Sequence, residues 1–175
     1  MTPGFHVHPN GGGLVADTAY VTDTAYVGKY CVVYDQARVT DFARIEDFAI
    51  VIDNAEISGS AIVCGRASIS GTAKVKGRAQ VRDFATISGQ SQIYDSAVVR
   101  DAAKVTDYAL VYDFTEVFGN ASVGGCAVIF VDAKVSENAS LSGFVKIAGN
   151  AHICGDARIS SEAFSTGTYI NGIHR

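Results

Sequence analysis

A six-residue repeat runs through this chain without a break, and no other feature limits its fold as strongly. From Val15 the sequence reads VADTAY, VTDTAY, VGKYCV, VYDQAR and holds the same frame to IAGNAH, ICGDAR and ISSEAF, ending at Phe164. That makes 25 hexads over 150 of 175 residues, with no insertion or deletion. Every first position is Val, Ile or Leu. The fifth is Ala in 21 hexads, the exceptions being Cys31, Ser91, Thr115 and Val145. The third is Asp in 11 and Gly in 10, leaving Lys29, Val131, Glu137 and Ser161. A helix cannot hold this register, because a period of 3.6 drifts off a six-residue repeat within a few turns.

An extended chain can. The fifth position and the next first position lie two residues apart, so in a strand they face one side while the variable sixth position between them faces the other. Each hexad thus supplies a short strand, Ala-x-Val, and a corner at positions two to four. Gly accepts positive φ there, and Asp can hydrogen-bond local backbone, so the expectation is that each Asp closes its own turn. A chain that turns every six residues with one apolar face must coil around that face. Val and Ala alternating inside would fill the interior layer by layer.

Composition narrows the function. The chain is 48% hydrophobic and 18% charged, with a net charge of −4, which supports a core and argues against disorder. One domain suits this length. No apolar run reaches membrane-spanning length and no signal segment opens the chain, so no membrane partner is expected. An acidic chain without a Lys/Arg cluster is a poor nucleic-acid binder. Four cysteines without a C-x-x-C motif suggest neither zinc nor a disulfide framework. Cys31 takes an inward small-residue position. Free thiols suit a reducing compartment, and the expected location is cytoplasmic.

The hexads resemble the hexapeptide-repeat left-handed parallel β-helix family, and are most similar to the bacterial YdcK-like group, with runs of the form A-x-V-x-G-N-A-x-V. The opening HPNGGGLVADTAYV is similar to the start of many such proteins. The resemblance implies an all-β triangular solenoid with three hexads per coil, so that positions i and i+18 lie one above the other. Its left hand is carried over from the family, since the usual crossover rule favours the right. The hexads then give about eight coils and a rod about 40 Å long. Residues 1–14 are read as an N-terminal arm or cap, 15–164 as the β-helix, and 165–175 as a C-terminal cap or tail. Such ends would keep open sheet edges from pairing with another rod. The glycines at 11–13 serve equally as part of a cover or as a hinge.

The stacked columns on the outside can be read from the same spacing. Tyr94, Tyr112 and Phe130 make one column, with Val98 read as nearby on that face and Phe114 at the following corner. Tyr30, Phe48 and Phe84 line another edge, interrupted by Arg66, with Val32 and Ile50 on the same face and Leu110 and Val128 on a different one. Such columns are either ladders that support the sheet or an interface. Asp17, Asp35 and Asp53 stack at one corner and Asp23 and Asp41 at the next. A carboxylate stack could hold Ca²⁺, but recurrence on all corners favours a turn role.

The family resemblance carries two enzyme readings, CoA-dependent acyl transfer with a His base and a γ-class carbonic anhydrase with three His ligands. Of the histidines, His152 alone lies in the repeat and is the weak catalytic candidate. His6 and His8, two apart, are the weak metal candidates, and His174 ends the set. Active acyltransferases of this fold resemble interrupted rods with a pocket-forming loop, whereas these hexads are uninterrupted and leave flat faces. The expectation is therefore a non-catalytic rod that self-associates, with a trimer favoured by the resemblance, or that binds a protein partner. No cofactor is expected, and a CoA thioester enters only with an acyltransferase whose site lies between subunits near His152. A third reading is an acidic accessory or decoy protein, including a phage-encoded one.

Overall fold

The computed structural model describes residues 4–170 and the backbone of Ile173–His174. All regular elements among them are strands, most of two residues. From Tyr20–Val21 to Arg158–Ile159 each is the sixth position of one hexad and the first of the next, as in Arg38–Val39, Arg44–Ile45 and Ile50–Val51. Successive strands fall on successive sides of a three-sided solenoid. Sheet 1 holds eleven strands from Phe5–Val7 to Ile173–His174. Sheet 2 holds nine from Tyr20–Val21 to Ala163–Phe164, and sheet 3 nine from Tyr26–Val27 to Thr168–Tyr169. Through the body every strand pairs in parallel with the strand one coil on, as in Gln92↔Leu110↔Val128.

The interior is the one the hexad dictates. First-position residues such as Ile45, Ile57, Ile93 and Ile129 have no exposed surface, and neither do fifth-position alanines such as Ala43, Ala97 and Ala127. Each buried aliphatic side chain contributes roughly 1.5–3 kcal/mol. Two fifth positions are polar, and each is satisfied within its own corner: Ser91 Oγ donates to the Ser88 carbonyl at 2.8 Å, and Thr115 Oγ1 to that of Tyr112 at 3.0 Å. Outward residues donate their N–H to the next coil, as Arg38 does to Ala55 at 2.8 Å.

The aspartates do something other than close their own turns. Nine of them, from Asp35 to Asp113, take φ between 56° and 62°. All of these but Asp95 reach along the axis with a carboxylate oxygen to a backbone N–H of the corner one coil later. Asp41 accepts from the Gly59 N–H at 2.8 Å, Asp53 from Gly71 at 2.7 Å, Asp101 from Gly119 at 2.9 Å and Asp113 from Val131 at 2.9 Å. Glu137 does the same for Gly155 at 2.8 Å. The acidic residue therefore clips neighbouring coils and satisfies a corner N–H left outside the sheet ladder. Glycine fills corners where room is shortest: a Cβ at Gly125 would stand 2.3 Å from the Gly143 nitrogen.

The solenoid has about nine turns, one more than the hexads predict, because it continues beyond Phe164. The last hexad does not keep its frame. Lys146 pairs with Ala163, His152 with Thr168 and Arg158 with Ile173, so the chain between partners shortens at each successive side. Every side of this final turn advances by five positions instead of six, from Ile159 to Phe164 to Tyr169 to His174. Phe164, outward by the hexad frame, now packs on the core with Tyr169, their rings 4.2 Å apart between centroids. Ala163, inward by the same frame, is exposed.

At the other end the chain folds back. The first strand, β1 (Phe5–Val7), pairs antiparallel with β2 (Leu14–Ala16) and covers the edge of sheet 1. The glycines at 11–13 form a hook over Tyr26–Val27, the first strand of sheet 3. Val27 N–H donates to the Asn10 carbonyl at 3.0 Å, and Gly13 N–H to that of Val27 at 2.9 Å. A Cβ at Gly11 would lie 2.3 Å from the Val27 oxygen, so the close approach requires glycine.

Candidate interaction surface

Outward positions are where the hexads differ, so they carry whatever distinguishes this rod. On sheet 2 the Tyr94 and Tyr112 rings stack at 4.8 Å and 2°, and Tyr112 and Phe130 at 5.4 Å and 14°. The one-coil register places each ring above the last, at the strand spacing. Burial and the neighbouring Tyr112 hydroxyl push the Tyr94 phenol above its ordinary pKa. Leu110 and Val128 lie on these same strands, paired in register. Both margins of the sheet continue the apolar character. Tyr108 and Phe144 stand at the corner entering sheet 2, Phe114 and Val131 at the corner leaving it. All four are exposed, Phe114 at 70% and Phe144 at 80%.

The other proposed contact residues lie elsewhere. Val98, grouped with the ladder on sequence spacing, belongs to sheet 3, across a corner from Tyr94. The corner at Asp95 turns the chain to the next side between them. Val32 and Ile50 stack on sheet 1 near its N-terminal end, close to the edge carrying Tyr30 and Phe48, whose rings lie 5.3 Å apart. Phe5 of β1 stacks on Tyr34 of the same sheet at 5.4 Å. Sequence spacing missed Tyr108 and Phe144 as margins of the ladder, because a fourth position reads as a corner without showing which two sheets it divides.

Sheet 3 carries a charged face, and the N-terminal part of sheet 2 carries another, where Glu56 meets Lys74 and Lys76 at 3.3 Å each. Lys134 and Arg100 both pair with Glu116, at 3.0 and 3.2 Å, and Arg100 also meets Asp101 at 3.0 Å and lies over the Phe118 ring. Hydrogen bonding from Lys134, opposed by partial burial and helped by Arg100, holds the Glu116 carboxyl below its ordinary pKa. Comparison with family models, with curated proteins and with solved structures returned no match. The reading of the surface therefore rests on its own geometry.

His152 lies on sheet 3, where Nε2 and Ser136 Oγ are 2.7 Å apart and Phe118 stacks beside the imidazole. Ser136 is 1% exposed beneath it. His6 and His8 take separate partners. The exposed His6 meets Asp17 at 3.1 Å, while His8, 2% exposed, places Nε2 3.0 Å from the Ala25 carbonyl at the end of the rod. The side chain of His174 falls outside the described residues. Among those residues no group of three His, Cys, Asp or Glu side chains is placed to hold a metal. The four thiols are free. Burial pushes Cys31 up to about 11 and also raises Cys64 and Cys154, so these sulfurs stay protonated at neutral pH.

Proposed function

We propose that this chain is a non-catalytic rigid rod of the left-handed hexapeptide-repeat type, and that copies of it associate through sheet 2. The observation that carries the reading is the unbroken apolar field of Tyr94, Leu110, Tyr112, Val128 and Phe130, bordered at both corners by exposed aromatics. A ladder that only braced its own sheet would have no need of Tyr108, Phe114 and Phe144 on the margins, where each leaves apolar surface in water. A second copy supplies the same chemistry at the same heights, and a closed ring of copies hides both margins at once.

Acyl transfer near His152 has less support, because Ser136 already occupies the imidazole nitrogen on an open sheet surface. The accessory or decoy reading leans on charge, and the outward side chains of sheet 2 from Gln92 to Phe130 carry none. Sedimentation equilibrium tests the proposal. A discrete oligomer, with a trimer the expected size, should dissociate when Tyr94 and Tyr112 are both replaced by Asp. A wild-type chain that stays monomeric at every concentration would refute it.

A further inference from the structure

The aromatic ladder of sheet 2 stops one rung short. The column runs Tyr94, Tyr112, Phe130, and its next member, one coil on, is Ala148. The first three rungs are held at ring spacings of 4.8 and 5.4 Å, while Ala148 leaves the upper side of Phe130 uncovered by a ring of its own column. The contraction of the last turn deepens this place, because it brings Ala163 rather than a long side chain beside it. The result is a groove of about 190 Å³ lined by Phe130, Lys146, Ala148, Ala163, Phe164 and Ser165.

The exposed side chain best suited to such a groove lies on the same turn. Phe144 stands at the corner entering sheet 2, Ala148 next to the corner leaving it, and Phe144 is the most exposed large hydrophobic residue described. They belong to one coil and differ in height by only about 1 Å along the axis. Phe144 does not fill the groove of its own chain: it is 80% exposed and forms no part of the groove's lining. In a ring of parallel copies heights are preserved, so the entering margin of one copy meets the leaving margin of the next at the same level. An antiparallel pair centred on Tyr112 would instead bring the turn of Phe144 against that of Lys74 and Lys76.

Resting on the self-association reading above, we propose that Phe144 of each copy inserts above Phe130 of its neighbour and completes that neighbour's ladder as a fourth rung. Stacked rings at this spacing attract beyond their buried area. Lys146, which forms no ion pair among the described residues, lies beside the groove and can place its ammonium over the incoming ring.

Three variants test this by sedimentation. Phe144→Ala should weaken association at least tenfold, and Ala148→Phe should weaken it comparably by filling the groove from within. Combining the two should restore association to within about threefold of wild type, because the fourth rung is then supplied in cis. Phe84→Ala, which removes another exposed ring at a corner away from sheet 2, should change nothing. A wild-type oligomer indifferent to Phe144→Ala and Ala148→Phe would overturn this insertion while leaving association through sheet 2 intact. A monomeric wild type would remove both.

Discussion

The body of the rod and its final turn solve the same packing problem by different rules. Between Val21 and Ile159 each side advances by six positions, and Val or Ile alternates with Ala inside, every layer covered by the layers above and below. Past Ile159 each side advances by five, and the inward residues become Phe164 and Tyr169. A layer with no coil above it cannot be closed by Ala and Val, whose small side chains would leave the interior open to water. Aromatic rings span the opening, and a shorter corner draws the last strands over it. The N-terminal end reaches the same result with a folded-back strand and the buried His8.

The sharpest way to break this comparison is to remove one large side chain from each region. Ile93→Ala, in mid-rod, should cost about 2–5 kcal/mol in denaturant unfolding, since the cavity is walled on all sides. Phe164→Ala should cost less and act locally: hydrogen exchange should rise at residues 163–169 and leave the amides around Ile93 protected. Equal global losses would mean the last turn is no separate unit.

The clips between coils come next. Asp101 accepts from the Gly119 N–H and pairs with Arg100, so Asp101→Ala should cost about 1–2 kcal/mol, while Asp101→Asn, which keeps an acceptor, should cost about half as much. Thermal or chemical denaturation of the two variants measures the difference. One corner of the body is strained although Asp113 clips its N–H. Val131 holds φ at 67°, a region that costs a β-branched residue roughly 1–2 kcal/mol. Val131→Asn should therefore raise stability by about 1 kcal/mol, and a loss would show that the valine makes a contact worth more than its strain.

The smallest effect concerns the charged face of sheet 3. The Glu116 carboxyl titrates below its ordinary value in the fold, so its stabilising contribution is present above the unfolded value of about 4.3 and disappears as pH falls through the folded one. Glu116→Gln should be less stable than wild type by under about 1 kcal/mol at neutral pH, with the gap closing on acidification. A gap that widened in acid would reverse the assignment.

Much of this molecule could be read before any coordinates. The frame from Val15 specifies short strands with an aliphatic and alanine interior, and the family resemblance, by setting three hexads to a coil, places Tyr94, Tyr112 and Phe130 in one column. The corners were harder. A run of aspartates at third positions names a turn, yet their hydrogen-bond partners lie a full coil away, and the choice between their own turn and the next coil depends on the direction in which a positive-φ corner points its N–H. Val98 was misplaced for a related reason: nearness along the chain hides a change of sheet.

Sequence by itself decided the periodicity and the inward residue types, because an uninterrupted repeat of fixed length leaves a coiling chain one register, and the vertical columns followed once the resemblance set three hexads to a coil. Tertiary structure alone decided how the ends close, where the frame gives way to five-residue steps, and which corner residues border which sheet. Those outcomes depend on what lies above and beside a residue in space. A repeat specifies its neighbours only while it continues, and at its last turn that information runs out.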